Sequence, residues 1–205
     1  MNGQIDLLTL YNQDKEAFRQ IISGSEMWDI ALARRNQLLK THLSEVSKLA
    51  RQFGSKFGLE EFLSVAGYLH DYGKASPEWL EYLIKKLMSE DAPIVPHSIH
   101  GAKYAFAKTK SFPFIGEILG NIILSHHGKL YDNISPEGET LLNDNLSTES
   151  DFEVQKEIPV NVNLIYNEFT DILNVDKNAD IRFNLSMLIK LVYSCLVDAD
   201  RLNTS

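Results

Sequence analysis

The sequence predicts an all-α protein, and three observations carry this prediction. Apolar residues recur at intervals of three and four over most of the chain, which is the spacing of one helix face. The alternation of apolar and polar residues that is typical of a half-buried strand is absent. Glycine and proline number only 11 and 6 in 205 residues, and they cluster where the helical segments end. We therefore expect a helical bundle.

The first predicted helices occupy the N-terminal third of the chain. They run from Asp14 to Ile22, from Ser25 to Gly54, and from just after Gly58 to Gly73. The second is the clearest, because Ser25 is a suitable N-cap and apolar residues recur along its whole length. The sequence does not indicate whether residues 1–40 pack on the core or mediate association.

The remaining helical segments begin or end at proline, serine or glycine. They start at Ser76, after Pro96, after Pro113 and at Leu164, and the last runs from Asp180 to Leu202. Ser76 followed by Pro77 is the N-cap and first-turn pair of a helix. The last segment is apolar on almost every side of its middle, which predicts a buried central helix.

One stretch departs from this pattern. From about 132 to 163 the chain is polar and acidic and shows no helical stripe. In a compact domain a connection of this length is usually a functional lid or a mobile segment, and a segment that docks a partner is a further alternative. We expect one domain over residues 1–205, with a core of about 26–131 and 164–203 interrupted by this polar insertion.

Composition and charge exclude several classes of protein. The formal net charge is −8, from 20 Lys and Arg against 28 Asp and Glu, which disfavours a broad basic surface for nucleic acid. The single cysteine, Cys195, cannot form an internal disulfide, and no window approaches about 18 uninterrupted apolar residues. The N-terminus lacks the basic start and apolar core of a secretory signal. We therefore expect a cytoplasmic protein with no membrane partner.

The histidines lie at predicted helix ends or on apolar helix faces, and none lies in the polar insertion. They are His42, His70, His97, His100, His126 and His127. A lone histidine on an apolar face, such as His42, is more often a satisfied core residue than a metal ligand. His70 differs because Asp71 follows it, and a buried aspartate is costly unless a cation or hydrogen bonds compensate it. Imidazole and carboxylate are together the ligands of Mn, Fe, Co, Ni and Zn ions, and one carboxylate can bridge two of them.

The other histidines each have a structural alternative. His126 and His127 end an apolar helix, where histidines are either ligands or partners of the helix dipole. His97 opens a helix, where the alternative to a ligand is a cap or an exposed residue. His100, three residues further on, is a ligand, a substrate contact or an ordinary surface residue.

Two aspartates close the most apolar helix of the chain. Asp198 and Asp200 stand in the string LVDADRL, and Arg201 is a suitable salt-bridge partner for one of them at a surface helix end. The other would face the same pocket as the histidines. Because both faces of this helix are apolar, periodicity does not decide which aspartate does so.

Five motifs, in their order and spacing, resemble the metal-dependent HD phosphohydrolase superfamily. They are HxxxV from His42, HDYGKASPEWLEYL from His70, HSIHGA from His97, SHHG from Ser125 and LVDADRLNT from Leu196. The extended HDxGKASPxWxxYL, HSxxGA and SHHG elements together resemble the HD nuclease domain of the CRISPR-associated nuclease-helicase of type I interference systems. That domain occurs fused to a helicase or as a separate protein. The resemblance covers about His42 to Asn203 and implies an HD-domain helical bundle.

The resemblance also implies a site with two divalent metal ions, which would be Mn, Ni, Co, Fe or Mg. It assigns His42, His70, Asp71 and Asp200 to the first ion, and His97, His126 and His127, with Asp71 as the bridge, to the second. Asp200 is preferred over Asp198 because the last ligand of the superfamily stands in an ADR-like string. Lys74 would act with Asp71 as a catalytic residue near the scissile phosphate. His100 falls at a position that the HSxxGA pattern leaves free, and we keep it as a candidate substrate contact.

The implied function is cleavage of single-stranded DNA in antiviral defence. Two metal ions can activate a water molecule and hold both the attacking and the leaving oxygen of a phosphodiester. The implied partners are a CRISPR helicase, fused or separate, and the RNA-guided surveillance complex. Candidates for a narrow DNA track form two groups of basic residues: Arg34, Arg35 and Lys40, and Lys103, Lys108 and Lys110.

Two alternatives remain open from the sequence. The first is an HD phosphohydrolase that acts on nucleotides or cyclic dinucleotides, which would need a closed pocket with base-specific contacts. The second is a non-catalytic docking module in which the metal site only stabilises the helical bundle. The intact ligand positions and Lys74 favour an active enzyme.

Overall fold

Helices make up nearly all of the regular structure in this computed structural model, which describes residues 6–130, 146, 152, 155–173 and 181–204. These residues form α1 (Leu7–Gln13), α2 (Lys15–Gly24), α3 (Met27–Ile30), α4 (Leu39–Gly54), α5 (Glu60–Leu69), α6 (Pro77–Leu87), α7 (Ser98–Lys108), α8 (Pro113–Ser125), α9 (Val162–Leu173) and α10 (Ile181–Thr204). A 3₁₀ helix spans Tyr72–Lys74, and β1 (Leu32–Arg34) pairs with β2 (Gln37–Leu38) in one short antiparallel hairpin. The predicted all-α helical bundle is confirmed.

The predicted helix from Ser25 to Gly54 is wrong, because the hairpin interrupts it. The short helix α3 is followed by the two strands, in which Leu32 lies opposite Leu38, and only then does α4 begin. Tertiary contacts hold the hairpin, since the Trp79 indole N–H of α6 donates to the Leu32 carbonyl at 3.1 Å. Apolar residues at intervals of three and four fit both arrangements, and packing against α6 overrides the local helical preference.

The N-terminal helices pack onto the bundle. Asp14 caps α2, because its carboxylate accepts the backbone N–H groups of Glu16 and Ala17 at 3.0 Å each. Buried side chains from α1, α2, α4 and α6 form one apolar cluster, which includes Leu7, Tyr11, Phe18, Ile22, Leu39, Leu43, Leu80 and Ile84. The helix predicted from Asp14 to Ile22 is therefore present as α2. Of the two alternatives for the N-terminal region, packing on the core is the one that the structure shows.

The helices predicted in the middle of the chain correspond to α5, α6, α7, α8 and α9. The helix α5 ends at Leu69, four residues before the predicted end at Gly73, and Gly73 lies in the 3₁₀ helix Tyr72–Lys74 instead. The Ser76 hydroxyl caps α6 as predicted, since it accepts the backbone N–H of Trp79 at 3.1 Å. The main apolar core lies between α4, α5, α7, α8, α9 and α10.

The last helix, α10, is not the buried central helix that its composition predicts. Its buried residues form a single stripe of Leu188, Val192, Leu196 and Ala199. On another side Phe183 and Met187 are 62% and 49% exposed. The reason is that α10 lies at the edge of the bundle, where its stripe packs against α4, α5 and α8. Among the described residues, each helix is either too short or too polar to span a lipid bilayer.

Most of the predicted insertion, residues 132–163, lies outside the described residues. The three alternatives for it, a lid, a mobile segment or a docking segment, therefore stay predictions. The end that is described is held by two buried tyrosines. The Tyr72 hydroxyl donates to the Lys156 carbonyl at 2.5 Å and accepts its N–H at 3.0 Å, and the Tyr104 hydroxyl accepts the Ile158 N–H at 2.8 Å. The assignment of residues 1–205 to one domain, with its core of about 26–131 and 164–203, stays a prediction.

Two glycines let α7 start directly against the end of α5. A Cβ at Gly101 would lie 1.9 Å from the Leu69 carbonyl oxygen, and a Cβ at Gly73 would lie 2.2 Å from the His97 carbonyl oxygen. Both obstacles are backbone atoms, so a larger residue would have to move a whole element. This close approach brings His97 next to Asp71.

We expect Gly101→Ala to destabilise the fold by about 1–3 kcal/mol, the usual cost of overpacking, because the new methyl group would collide with backbone. The free energy of unfolding in urea measures this. Gly24→Ala is the matched control, since a Cβ at Gly24 meets nothing within 4 Å. It should change the free energy by no more than about 0.5 kcal/mol or stabilise the helix slightly. Equal unfolding free energies for the two variants would contradict the close approach.

Candidate metal centre

Five helices bring imidazoles and carboxylates to one place, mostly from their ends. His42 lies on α4, His70 and Asp71 directly follow α5, His97 directly precedes α7, His126 and His127 directly follow α8, and Asp200 lies near the C-terminal end of α10. Their ligand atoms form two groups, within each of which the atoms lie no more than 4.8 Å apart. Asp71 stands between the two groups and contacts both.

The first group surrounds one oxygen of Asp71. His42 Nε2 lies 3.3 Å from Asp71 Oδ2 and 3.4 Å from Asp200 Oδ1. His70 Nε2 lies 3.4 Å and 3.6 Å from the same two oxygens. Two imidazoles and two carboxylates therefore converge on one small volume, and His70 and Asp71 are almost completely buried there.

The second group surrounds the other oxygen of Asp71. Asp71 Oδ1 lies 3.1 Å from His97 Nε2, 3.4 Å from His126 Nε2 and 3.9 Å from His127 Nε2. The Asp71 carboxylate thus presents one oxygen to each group. This is the arrangement in which one carboxylate bridges two metal ions.

Backbone carbonyls set the orientation of two of the imidazoles. His70 Nδ1 donates to the Gly67 carbonyl at 2.8 Å, and His126 Nδ1 donates to the Ile123 carbonyl at 2.6 Å. A carbonyl only accepts, so Nδ1 carries a proton in both rings, and Nε2 is the ring nitrogen that faces the centre. Metal-binding histidines are commonly oriented by such a second hydrogen bond.

The carboxylates are held in their ionised form. Burial alone would raise the pKa of Asp71, but the positive charges of His70 and Lys74 outweigh it and hold that pKa well below its usual range. Burial opposes ionisation of Asp200 too, yet its hydrogen bond to His70 and the charge of His70 lower its pKa. Burial would lower the pKa of His70, but the charge of Asp71 and a hydrogen bond to Asp200 raise it to about 9.

Two histidines of the second group, His126 and His127, favour the neutral form, which binds metal. Burial lowers the pKa of His126 despite its contact with Asp71. Burial and the neighbouring His126 together lower the pKa of His127 to about 4. These imidazoles are therefore ready to coordinate a cation without first losing a proton.

Several buried polar atoms at the centre are unsatisfied. Asp71 Oδ1, His126 Nε2 and His97 Nδ1 find no hydrogen-bond partner among the described residues. Buried polar atoms in native proteins are nearly always hydrogen-bonded, or they bind an ion or a water molecule. The first two of these atoms point at each other across 3.4 Å, where a cation would satisfy both.

Pairs of Nε2 atoms also approach each other closely. The distance is 3.2 Å between His42 and His70, and 2.8 Å between His97 and His127. Two bare lone pairs at these distances repel each other unless a proton or a cation lies between them. Because imidazole nitrogen and carboxylate oxygen are the ligand set of divalent Mn, Fe, Co, Ni and Zn, the residues present fit a metal centre.

Lys74 is the buried cation of the centre. Its Nζ lies 2.6 Å from Asp71 Oδ2 and 4.8 Å from the centre of the Trp79 ring, and the residue is 8% exposed. Lys74 is therefore not the exposed surface lysine that a position just after a helix end would suggest. Its predicted place near a scissile phosphate stays a prediction.

Two predicted candidates lie outside both groups. Asp198 is exposed, whereas Asp200, two residues on, faces the histidines. His100 stacks on Phe152, with ring centroids 4.7 Å apart, and burial lowers its pKa. His100 is therefore not placed as a ligand, and its substrate role stays a prediction.

Three of the basic residues predicted to form a DNA track make contacts with other groups of the chain that a bound strand would have to replace. Lys40 pairs with Asp29 at 2.8 Å, and Lys108 pairs with Glu157 at 2.7 Å. Arg34 donates to the Asn203 carbonyl at 3.0 Å. A continuous basic track through these three residues would have to compete with these contacts.

One contact of the centre was missed from the sequence. His42 Nδ1 lies 2.7 Å from the Asn203 side-chain oxygen, which takes the place that backbone carbonyls have for His70 and His126. The available signal was the spacing of Asn203, since it follows Asp200 by three residues and so lies on the same face of the helix. An asparagine near a chain end gives no signal by its residue type alone.

An all-α bundle with imidazoles and carboxylates in two groups, joined by one buried aspartate, defines a class of metal-dependent phosphohydrolases. A family model of the HD domain matches residues 39–165, which is more than half of the chain and runs from the start of α4 past His127. The chain belongs to the HD-domain family, and the superfamily resemblance is confirmed. No curated protein matches the sequence.

We expect Mn²⁺ to stabilise the protein and Asp200→Asn to weaken this effect. An ion that binds only the folded state at about 100 times its Kd adds about 2.7 kcal/mol. Loss of one carboxylate ligand should lower the affinity at least about tenfold, or about 1.4 kcal/mol. Melting temperatures with Mn²⁺ and with EDTA measure the difference. Asp198→Asn, an exposed neighbour on the same helix, should keep the full shift, and equal shifts for both variants would contradict the assignment.

Proposed function

We propose that this chain is a metal-dependent nuclease that hydrolyses phosphodiester bonds of single-stranded DNA in type I CRISPR interference. The observation that carries the hydrolase chemistry is the Asp71 carboxylate, which presents one oxygen to each of two ligand groups. DNA is proposed as the substrate because three motifs resemble the nuclease domain of the CRISPR-associated nuclease-helicase: HDYGKASPEWLEYL, HSIHGA and SHHG. This resemblance extends well beyond the HD dipeptide.

The residues of the centre have distinct roles in this reaction. Two divalent ions bound there would supply an activated water and neutralise the charge that develops on the phosphate. Asp71 would bridge them, His42, His70 and Asp200 would hold one, and the histidines of the second group would hold the other. Lys74 keeps its ammonium on Asp71 and adds a positive charge that favours a bound phosphate.

The surface beside His127 supports a polymeric substrate. The His127 side chain is 54% exposed and borders a cleft of about 580 Å³, which is also lined by Ser98, Leu124, Ser125, Gly128, Lys129 and Leu130. Gly128 and Lys129 are exposed at its rim. A strand can cross an open cleft of this kind, whereas a small nucleotide is normally enclosed by its pocket.

The charge distribution supports delivery of the strand by a partner. The net charge is −8, and Lys40 and Lys108 are paired with acidic side chains. Affinity for nucleic acid comes largely from contacts between basic side chains and phosphates. Weak intrinsic affinity suits a nuclease that receives single-stranded DNA from a CRISPR helicase, which the RNA-guided surveillance complex brings to its target.

The test is cleavage of circular and end-labelled linear single-stranded DNA. Duplex DNA, RNA and a cyclic dinucleotide are compared in Mn, Ni, Co, Fe, Mg and Zn, and in EDTA. We expect cleavage of single-stranded DNA with a transition metal and none in EDTA. Asp71→Asn, which keeps the side-chain volume, should lower the rate at least about 100-fold, because even outer partners of metal ligands typically contribute 10- to 100-fold. Cleavage of the circle would identify an endonuclease.

Two controls give this experiment its meaning. Asp198→Asn, which changes an exposed aspartate outside both groups, should cut at the wild-type rate. Circular dichroism of Asp71→Asn should show a folded protein. Hydrolysis of the cyclic dinucleotide alone would replace the DNA proposal with a nucleotide phosphohydrolase. Binding of metal without hydrolysis of any substrate would favour the docking module.

A further inference from the structure

The last turn of α10 holds a polar network that the reaction described above does not use. The Asn203 side-chain oxygen accepts from Gln37 Nε2 at 3.1 Å and from an Arg34 guanidinium nitrogen at 3.3 Å, and it lies 2.7 Å from His42 Nδ1. The Asn203 side-chain nitrogen donates to the Glu45 carboxylate at 2.7 Å. The hairpin, α4 and α10 therefore meet at one amide.

The partners of this amide allow only one orientation. The Arg34 guanidinium can only donate, so the Asn203 oxygen must face it. The Glu45 carboxylate accepts, so the Asn203 NH₂ group must face it. A flipped amide would place donor against donor at Arg34 and acceptor against acceptor at Glu45. The oxygen is therefore the atom that faces His42.

We infer that Asn203 is a positioning residue that sets the tautomer of His42 for metal binding, and this inference rests on the proposed metal-dependent function. Because the Asn203 oxygen accepts, His42 Nδ1 carries the proton and His42 Nε2 presents a lone pair to Asp71 and Asp200. The opposite tautomer would place a proton on Nε2, where it would exclude a metal ion.

His42 needs a side chain for this purpose, whereas His70 and His126 do not. His70 and His126 donate to the carbonyls of Gly67 and Ile123, which a point mutation cannot remove. His42 lies inside α4, where the carbonyls of its own helix are occupied by helical hydrogen bonds. The oriented amide of Asn203 replaces them.

The test compares metal binding by variants of the full chain. Asn203→Leu removes the acceptor at similar volume. We expect it to lower the affinity for one of two Mn²⁺ ions about 10- to 100-fold in a calorimetric titration, which is the usual effect of losing an outer partner of a metal ligand. The other ion should bind as in the wild type. Thr204→Val is the control, since the Thr204 hydroxyl donates to the Arg201 carbonyl of its own helix and, among the described residues, makes no hydrogen bond to the metal centre. It should leave both affinities unchanged.

A double variant separates positioning from simple anchoring of α10. In the double variant Asn203→Asp, Glu45→Gln, one oxygen of the new aspartate still accepts from His42. Its other oxygen faces the NH₂ group of the new glutamine. We expect this variant to bind both ions at least as tightly as the wild type. A purely structural role would lower the melting temperature of the Asn203→Leu protein equally with and without Mn²⁺ and would leave both ion affinities unchanged.

A measurement on the wild-type protein keeps the inference testable even if the Asn203→Leu variant does not fold. Long-range proton–nitrogen spectra of the Zn²⁺-loaded protein should show His42 protonated at Nδ1 and bound to the ion through Nε2. Binding through Nδ1 would overturn the inference, as would wild-type affinity for both ions in Asn203→Leu. A wild-type protein that binds no ion would overturn the proposed function as well, so the two failures are distinguishable.

Discussion

A carboxylate buried among imidazoles is the interaction on which the rest of this structure depends. Asp71 is only 1% exposed, and moving an isolated carboxylate out of water is among the largest costs that a fold can incur. Lys74, with its Nζ 2.6 Å away, offsets part of that cost, and imidazoles on both sides offset more. The two oxygens of Asp71 remain divided between two groups of ligand atoms. A divalent metal ion fits this arrangement, and divalent metals are what HD domains bind.

The helical bundle surrounds the Asp71 carboxylate with ligands by bringing several helix ends together. Gly73 and Gly101 let α7 rest on the end of α5, so that backbone approaches backbone without an intervening side chain. Carbonyls in the last turns of α5 and α8 then accept from His70 and His126 and turn their Nε2 atoms inward. The same local geometry that ends each helix therefore also orients a ligand. The centre is accordingly closely packed on its backbone side and exposed at His127, whose side chain is 54% exposed.

How much was predictable depended on the range of the interactions involved. Residue type and spacing predicted the helices from α5 onward and the Ser76 cap, because these depend on neighbours three or four positions away. The set of candidate ligands came from the order of the five motifs and their resemblance to the HD superfamily. The hairpin was missed because Trp79, far along the chain, holds the Leu32 carbonyl. The exposure of Phe183 and Met187 was missed because the sequence does not show how many sides of α10 contact other helices.

The sequence by itself determined the all-α class, the HD-domain family and the chemical type of the site. Composition, helical periodicity and the order of the motifs can be read directly from the amino-acid sequence. Only the tertiary structure decided that Asp200 rather than Asp198 faces the histidines. It also decided that Lys74 is buried on Asp71, and that Asn203 faces His42 with its oxygen. The physical reason is that side-chain direction and hydrogen-bond partners are decided by contacts between distant segments, and these contacts exist only once the helices have packed.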